Sequence, residues 1–458
     1  MKRETDRMGQ WARRPAAALL AMGLGLVLAA SACTANQAAG SLGGDSTRLI
    51  PQPDVKGLQV APESQRVDLQ MPTFSDPTNI TNPLFPVSSQ ESVLLLGRVD
   101  GLPFRTEVTT LPDTRVIEWN DQRIEALVSQ YVAFLGGRLE EVAYDFYAQD
   151  DSGAVWYLGE DVFNFRDGAI VNTHGTWIAG KDGPGALIMP ADPKVGDVYR
   201  PENIPGFVFE EVTVKAVGET VDGPFGPMGG ALLIEELHMD GFTEDKLFAP
   251  GYGEFYTSGG GNTEAAALAV SADALSEPAP AELTTLSTGA LEVFDAARSG
   301  DWSKAAARIG NLTAAWESYR AGEVPVLVEP IMTKDLDALA RAVEGRNGAA
   351  ASQAAIDVAR SSLDLQLRYR PVVEIDVARF DLWLAQILVD VAAADSSSVT
   401  GDFFSLDYVR DRIQKTLQGT DLTRINTQLE ALYEAVSSEK LGQAADAAQE
   451  LRGTIAER

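Results

Sequence analysis

Residues 142–161 have the sequence VAYDFYAQDDSGAVWYLGED, and this stretch decides the fold of the first half of the chain. Its two arms, 142–147 and 155–158, are rich in aromatic and β-branched residues, which favour extended strands. Between them the Asp-Ser-Gly group at 151–153 is typical of a tight turn. The stretch therefore predicts a β-hairpin.

Similar turn signals recur on both sides of this hairpin. Asp-Gly and Gly-Gly pairs tolerate the positive φ angles that hairpin turns require. An antiparallel barrel or a strongly curved sheet of about eight to ten strands is predicted for residues 74–257, with a two-sheet sandwich as the alternative. The pairs lie at 100–101, 136–137, 167–168, 222–223, 229–230 and 240–241.

From residue 286 to residue 458 the sequence has helical patterns. Ala-rich amphipathic segments alternate with short polar or glycine-containing breaks, and prolines end some of them. This predicts an all-α domain of antiparallel hairpins, arranged as a bundle or a short solenoid. Runs of strands followed by runs of helices indicate separate domains. Residues 258–285, rich in Gly, Ala and Pro, are predicted to link them, with a short helix allowed at 265–275.

One stretch of the helical domain, residues 368–395, has two apolar faces at helical spacing and is expected to be central. Asp376 and Arg379 can pair at i, i+3 on its polar stripes. Such residues predict either an ion-pair network that fixes the bundle, or a polar groove for an anionic ligand or a partner helix. The candidate groove residues are Arg368, Arg370, Glu374, Asp376, Arg379 and Asp381.

Residues 1–32 have the features of an export signal, because basic residues precede an uncharged apolar run at 16–30. The run is shorter than the roughly 20 residues of a permanent membrane-spanning helix. The tetrapeptide ASAC at 30–33 resembles the cleavage motif of bacterial lipoproteins, although Ala30 stands where that family prefers Leu. The resemblance implies cleavage before Cys33 and lipidation of its thiol. A plain signal peptide cut nearby is the alternative.

Residues 33–73 are rich in small and polar residues and are predicted to be a flexible tether. Together with a lipid on Cys33, the tether predicts an extracytoplasmic protein that is anchored to the cell membrane, or to an outer membrane if the source has one. The membrane is thus the first expected partner.

The chain of 458 residues has 66 acidic and 37 basic residues, for a net charge of −29. The predicted signal carries five basic and two acidic residues, so its removal makes the net charge three units more negative. This charge argues against a nucleic-acid partner. One Cys and two His exclude a His- or Cys-rich metal cluster, and the sequence predicts no metal site and no cofactor.

Several segments of the predicted β-domain resemble a family of exported bacterial proteins of uncharacterised function. They are ITNPLFP at 80–86, YDFYAQD at 144–150, GAVWYLGED at 153–161, IMP at 188–190, GDVY at 196–199 and FAPGYG at 248–253. The aromatic residues typical of that family's first strand are missing from 92–97. The resemblance covers residues 74–257 and implies an extracytoplasmic β-domain, with no activity to transfer.

The densest group of functional side chains lies at 144–177. Carboxylates beside aromatic rings suit sugar recognition, and a carboxylate pair at a suitable separation also suits glycoside hydrolysis. Alternating aromatic residues in a hairpin more often fill a barrel interior. His174 and His238 lack triad partners, which favours structural roles for both. The candidate ligand-binding residues are Asp145, Tyr147, Trp156, Glu160, Asp161, His174 and Trp177.

These observations favour a lipid-anchored, non-enzymatic envelope protein that binds a ligand or acts as a scaffold, with a protein or a carbohydrate as its partner. No nucleophile elbow, phosphate loop or zinc-protease motif occurs in the sequence, so no catalytic residue is predicted. One alternative is an exported glycosidase-like hydrolase that uses Asp145, Glu160 or Asp161. Another is a sensor or assembly factor that docks a partner through the helical domain.

Overall fold

The computed structural model describes residues 57–417 and 419–457. The predicted signal at 1–32, Cys33 and the first part of the predicted tether, up to residue 56, lie outside the described residues. Within the described ranges, no helix has both the length and the apolar character needed to cross a membrane.

The first half of the described chain forms fourteen strands. They are β1 (Ser92–Val99), β2 (Leu102–Trp119), β3 (Gln122–Leu135), β4 (Arg138–Gln149), β5 (Val155–Arg166), β6 (Ala169–Asn172), β7 (Trp177–Ile178), β8 (Ala186–Met189), β9 (Val198–Ile204), β10 (Val208–Gly223), β11 (Gly226–His238), β12 (Thr243–Ala249), β13 (Gly253–Gly259) and β14 (Asn262–Val270).

All fourteen strands belong to one antiparallel sheet. Its order is β6-β5-β4-β3-β2-β1-β14-β13-β12-β11-β10-β9, and β7 and β8 also pair with β5. The sheet is curved and does not close, because its path ends at β6 and β9. The predicted curved sheet is therefore confirmed. The sandwich alternative is wrong, since the strands share one hydrogen-bonded sheet, and the estimate of eight to ten strands was too low.

The hairpin predicted at 142–161 is formed by β4 and β5, with Asp145 and Glu160 as cross-strand partners. Asp100 and Gly101 have φ angles of 51° and 76° in the turn between β1 and β2. These left-handed conformations explain why Asp-Gly pairs mark the turns.

The segment predicted as a linker, 258–285, contains the end of β13, all of β14 and the start of the first helix. Glycines 259–261 form the tight turn between β13 and β14, and β14 pairs with β1 along its length. The short helix allowed at 265–275 is likewise wrong, because this sequence forms a strand. The connection between sheet and helices is residues 271–280.

The second half of the described chain forms eight helices. Neighbouring helices pack as the predicted hairpins, and further contacts between the first and fourth helices and between the fifth and eighth join them. They are α1 (Ala281–Ser299), α2 (Trp302–Tyr319), α3 (Glu329–Glu344), α4 (Gly348–Gln366), α5 (Val372–Ala392), α6 (Ser396–Ile413), α7 (Gly419–Ser437) and α8 (Leu441–Ala456).

Helix α5 is central, as its two apolar faces predicted. Ile375 and Leu382 on one face, and Phe380 and Leu384 on the other, are all buried. The helix packs against α4, α6 and α8.

The helices cover the outer face of the curved sheet. Leu94 of β1 and Leu268 of β14 belong to the same buried apolar cluster as the helical core. A buried ion cluster also crosses this interface: Arg105 pairs with Asp364 at 2.7 Å, and Arg412 pairs with Glu107 at 2.8 Å. The sheet and the helices therefore form a continuous structure.

Part of the predicted tether, residues 57–73, lies against the sheet. The Ala61 amide donates to Glu211, the Arg200 amide donates to Asp68, and Arg66 forms a parallel bridge with Val198. This part of the segment is therefore docked on β9 and β10, in contrast to the predicted flexible tether.

Candidate ligand-binding cavity

The inner face of the curved sheet lines a cavity of about 830 Å³. Tyr147, Phe248 and Tyr252 form a buried aromatic part of its wall. His174 and Phe242 line it as well but are exposed, so the cavity is open to solvent on their side.

Strand alternation places acidic side chains in this cavity. In β11, Ile234, Glu236 and His238 line the cavity, whereas Glu235 pairs with Lys215 of β10 on the outer side at 2.6 Å. Nine of the described cavity-lining residues are acidic, whereas four are basic or histidine, namely Arg166, His174, His238 and Lys246. The nine are Glu140, Glu141, Asp145, Glu210, Glu236, Asp240, Glu244, Glu254 and Glu264.

Several of these acids have raised pKa values. Burial, with the charge of Asp145, raises the pKa of Glu141 to about 7. Burial, with the charge of Glu210, raises the pKa of Glu236 to about 8. Burial also raises the pKa of Asp145 to about 7, although it accepts a hydrogen bond from the Tyr157 hydroxyl at 2.8 Å. These groups therefore keep protons near neutral pH unless positive charge is supplied.

Two carboxyl groups meet where the curved sheet stays open. Glu160 of β5 and Glu202 of β9 lie close enough for each to affect the pKa of the other. Burial raises the pKa of both well above the usual range, and nearby carboxylates raise it further. Both carboxyl groups therefore keep their protons to a higher pH than ordinary glutamates do.

His238 is the centre of the most ordered polar group in the cavity. Its Nδ1 lies 3.2 Å from Glu210 Oε1, and its Nε2 lies 3.3 Å from Glu244 Oε1 and 4.0 Å from Glu236 Oε2. The Lys246 ammonium lies 2.6 Å from the same Glu236 oxygen and 3.4 Å from the same Glu244 oxygen.

The charges of this group are strongly coupled. Burial opposes a charged imidazole at His238, but contacts with Glu210 and Glu244 outweigh it and raise the His238 pKa to about 10. Burial alone would raise the Glu244 pKa, but His238 and Lys246 lower it to about 2. One oxygen from each of Glu210 and Glu236 and one nitrogen of His238 lie within 4.8 Å of one another, a spacing that fits the ligands of a cation.

The structure brings together part of the predicted ligand-binding set. Asp145 and Tyr147 line the cavity, His174 lies at its exposed side, and Glu160 lies across the strand pair from Asp145. Trp177 is fully buried and packs edge-on against Tyr157, 5.5 Å between ring centroids.

Two members of the set lie elsewhere. The Trp156 indole donates to Asp150 at 2.9 Å and packs against Trp119. Asp161 pairs with Arg115 at 2.5 Å. Neither residue lines the cavity.

The six candidate groove residues of the helical domain divide among four ion-pair sets. Asp376 and Arg379 pair at 3.2 Å inside the buried interface with the sheet. The other three pairs are Arg368 with Glu323, Arg370 with Glu374, and Asp381 with Arg452. These contacts fit the predicted ion-pair network, and docking of a partner by the helices stays a prediction.

The acids of β9–β12 are not among the residues that the sequence predicts for the site. Glu210, Glu236 and Glu244 alternate with residues of the opposite face, and this period of two was the available signal. The prediction of no metal site rests on the scarcity of His and Cys and on the lack of a calcium-loop spacing among the acids at 150–161. His238 was interpreted as a structural residue.

Comparison with protein-family models finds no match for this chain, and comparison with curated proteins finds none either. The resemblances to bacterial lipoproteins and to an uncharacterised exported family therefore stay predictions. The geometry of the cavity is therefore what indicates a site.

Proposed function

We propose that this protein binds a positively charged ligand in the cavity of its curved sheet. The observation on which this depends is the charge of the cavity lining, where nine acidic residues face two histidines, Lys246 and Arg166. Buried carboxylates are unfavourable unless they are paired or protonated. A cationic ligand supplies the missing pairing.

The wall also suggests the shape of the ligand. Tyr147, Phe248 and Tyr252 form an aromatic region beside the carboxylates. Aromatic faces attract cations and also bury apolar groups. A cavity of about 830 Å³ has the size of small-molecule sites. We therefore favour a small organic amine with an apolar or aromatic part.

The proposed setting is the cell envelope. The lipobox-like ASAC at 30–33 supports a lipid on Cys33, and the apolar run before it supports export. In this setting the protein is an anchored extracytoplasmic binding protein.

Calorimetry on the chelator-treated protein tests the amine-binding function. We expect 1,5-diaminopentane or 2-phenylethylamine to bind, whereas the neutral sugar maltose does not. Asp145→Asn and Glu236→Gln should each weaken amine binding by about tenfold, since each removes a charge that faces the ligand. Glu235→Gln, on the outer side of the same strand, is the matched control and should bind like the parent.

Equal affinity for the amines in all three variants would contradict the proposal. Saturable maltose binding without amine binding would favour the carbohydrate partner instead.

A second candidate function is glycoside hydrolysis. Asp145 and Glu160 are cross-strand partners in the β4–β5 hairpin, and burial raises the pKa of both. A raised pKa is what a general acid needs. With nitrophenyl glycosides as substrates, Asp145→Asn or Glu160→Gln should abolish turnover while the melting temperature stays nearly unchanged. No turnover by the parent would remove this candidate.

A further inference from the structure

We propose that His238, Glu236 and Glu244 form a binding site for a divalent transition-metal ion, with Glu210 as the residue that orients the imidazole. The inference rests on the proposed function, in that the same cavity takes the cation. It goes further by naming the ligand atoms and the class of ion.

The two ring nitrogens of His238 face different groups. Nδ1 lies 3.2 Å from Glu210 Oε1 and can donate to it, which leaves the lone pair on Nε2. Nε2 faces Glu244 Oε1 at 3.3 Å and Glu236 Oε2 at 4.0 Å. A carboxylate behind a histidine whose second nitrogen binds the ion is the usual arrangement at protein metal sites.

The spacing of these atoms fits an ion. Ligand atoms at about 2.0–2.1 Å from a tetrahedral zinc ion lie about 3.3 Å apart. The Nε2 to Glu244 distance already has this value, and the Nε2 to Glu236 distance exceeds it by less than about 1 Å. Small side-chain movements therefore complete three ligands, and the solvent-open side of the cavity leaves room for a fourth.

An independent observation is the state of His238 Nε2. The imidazole is more than nine-tenths buried, and Nε2 makes no hydrogen bond of acceptable geometry among the described residues. A buried polar atom without a partner is rare in folded proteins. This atom lies within 4.0 Å of two carboxylate oxygens, and an ion among the three atoms would give Nε2 a partner.

Charge selects a dication. When His238 binds an ion through a neutral imidazole and the three carboxyl groups are ionised, Glu210, Glu236 and Glu244 bring three negative charges, and the Lys246 ammonium compensates one of them. The remaining two match a divalent ion. Lys246 approaches the same Glu236 and Glu244 oxygens that would bind the metal, so it competes with the ion.

The donor set selects the class of ion. Imidazole with carboxylates suits zinc and its first-row neighbours, whereas Ca²⁺ and Mg²⁺ prefer oxygen ligands throughout. We therefore expect Zn²⁺ and Co²⁺ to bind in preference to Mg²⁺.

The test is a titration of the full chain with Zn²⁺ by calorimetry and with Co²⁺ by visible absorption, in a Cys33→Ser background that removes the chain's thiol. We expect one ion per chain and cobalt bands typical of a nitrogen- and oxygen-ligated site. His238→Gln and Glu236→Gln should each weaken binding by about 100-fold, and Glu210→Gln by about 10–100-fold.

Two further variants keep the test informative if a ligand variant is poorly folded. Lys246→Met removes the competing ammonium and should tighten Zn²⁺ binding by about tenfold, which a loss of structure would not produce. Glu235→Gln should leave the affinity unchanged.

The inference is overturned if neither ion binds saturably, or if His238→Gln and the parent bind equally well. Amine binding in the chelator-treated protein, tested separately, decides the proposed function. Amine binding without metal binding overturns the metal site alone. Metal binding that depends on His238, without amine binding, overturns the proposed amine-binding function alone.

Discussion

The two faces of the curved sheet both bury charge, but they do so differently. On the outer face the charges are balanced, with three arginines and three acids in mutual contact at 2.7–3.6 Å. On the inner face, acids greatly outnumber bases. The outer cluster consists of Arg105, Glu107, Asp364, Asp376, Arg379 and Arg412.

The difference distinguishes a structural ion cluster on the outer face from the proposed binding site on the inner face. Three arginines lower the pKa of Glu107 against the opposing effect of burial, so its charge is compensated within the chain. Burial instead raises the pKa of Glu236, whose compensation by Lys246 is incomplete. Balanced buried charge positions the helices on the sheet, whereas unbalanced buried charge indicates a site for an ion or ligand.

The largest effect is expected from breaking the outer cluster. Arg379→Met keeps most of the side-chain volume but leaves Asp364 and Asp376 without their shared partner. Removing one partner of a buried ion pair costs about 3–5 kcal/mol. Urea unfolding measures this loss.

Arg320→Met is the control for that variant, because the Arg320–Glu317 pair is partly exposed. It should change the free energy of unfolding by less than about 1 kcal/mol. If Arg379→Met were as mild as Arg320→Met, the distinction between the two faces of the sheet would fail.

The acids of the inner face should make the free energy of unfolding fall as pH rises, whereas ordinary carboxylates make it rise. Asp145 and Glu236 have folded pKa values of about 7 and 8, above the unfolded values. The folded state therefore binds more protons than the unfolded state between about pH 5 and pH 8, and stability falls as pH rises through this window. The His238 pKa of about 10 adds stability that is likewise lost as pH rises.

We expect a fall of about 1–2 kcal/mol per pH unit in metal-free protein, measured by urea unfolding. The double variant Asp145→Asn, Glu236→Gln should make the fall less steep, and Glu235→Gln should leave it unchanged. A profile that rises from pH 5 to pH 8 would show that the inner acids are already compensated.

The sequence predicted what depends on local chemistry. Asp-Gly turns mark hairpins because their left-handed conformations are set within two residues. The two apolar faces of α5 predicted its central position, since a helix shows its faces in its own spacing. Strand β14 was missed because its small residues after a glycine turn look like a linker, and only its pairing with β1 gives it structure.

Only part of the cavity lining could be predicted, because the rest also depends on how distant strands pair. Whether Glu160 or Asp161 faces inward depends on the register of β4 and β5, which shifts between Asp145 and Tyr147. Such a shift is not visible in the sequence. The grouping of Glu210, Glu236 and Glu244 depends on three strands that meet only in the folded sheet.

A smaller effect is expected from a single hydrogen bond on the inner face. Tyr157→Phe removes the hydroxyl that donates to Asp145 at 2.8 Å. The loss should cost about 1 kcal/mol and raise the Asp145 pKa further, as ¹³C NMR titration of that carboxyl would show. Tyr199→Phe is the matched control: the Tyr199 hydroxyl is buried without a hydrogen-bond partner among the described residues, so its removal should be neutral or stabilising. Equal effects of the two variants would contradict the assignment.

The smallest effect on stability is expected from the Arg370–Glu374 ion pair. It tests whether burial decides how much an ion pair contributes to the free energy of unfolding. Arg370 pairs with Glu374 at 3.0 Å, close to the separation of Arg379 and Asp376, but the two side chains of this pair are partly exposed. Arg370→Gln should therefore change the free energy of unfolding by less than about 0.5 kcal/mol, and added salt should reduce the change further. Paired urea titrations at low and high salt measure both quantities. A loss above about 2 kcal/mol that persists in salt would be too large for a solvated pair. Arg370 and Glu374 would then again be candidates for the polar groove that the sequence predicts. A charged ligand bound there would occupy a site separate from the cavity.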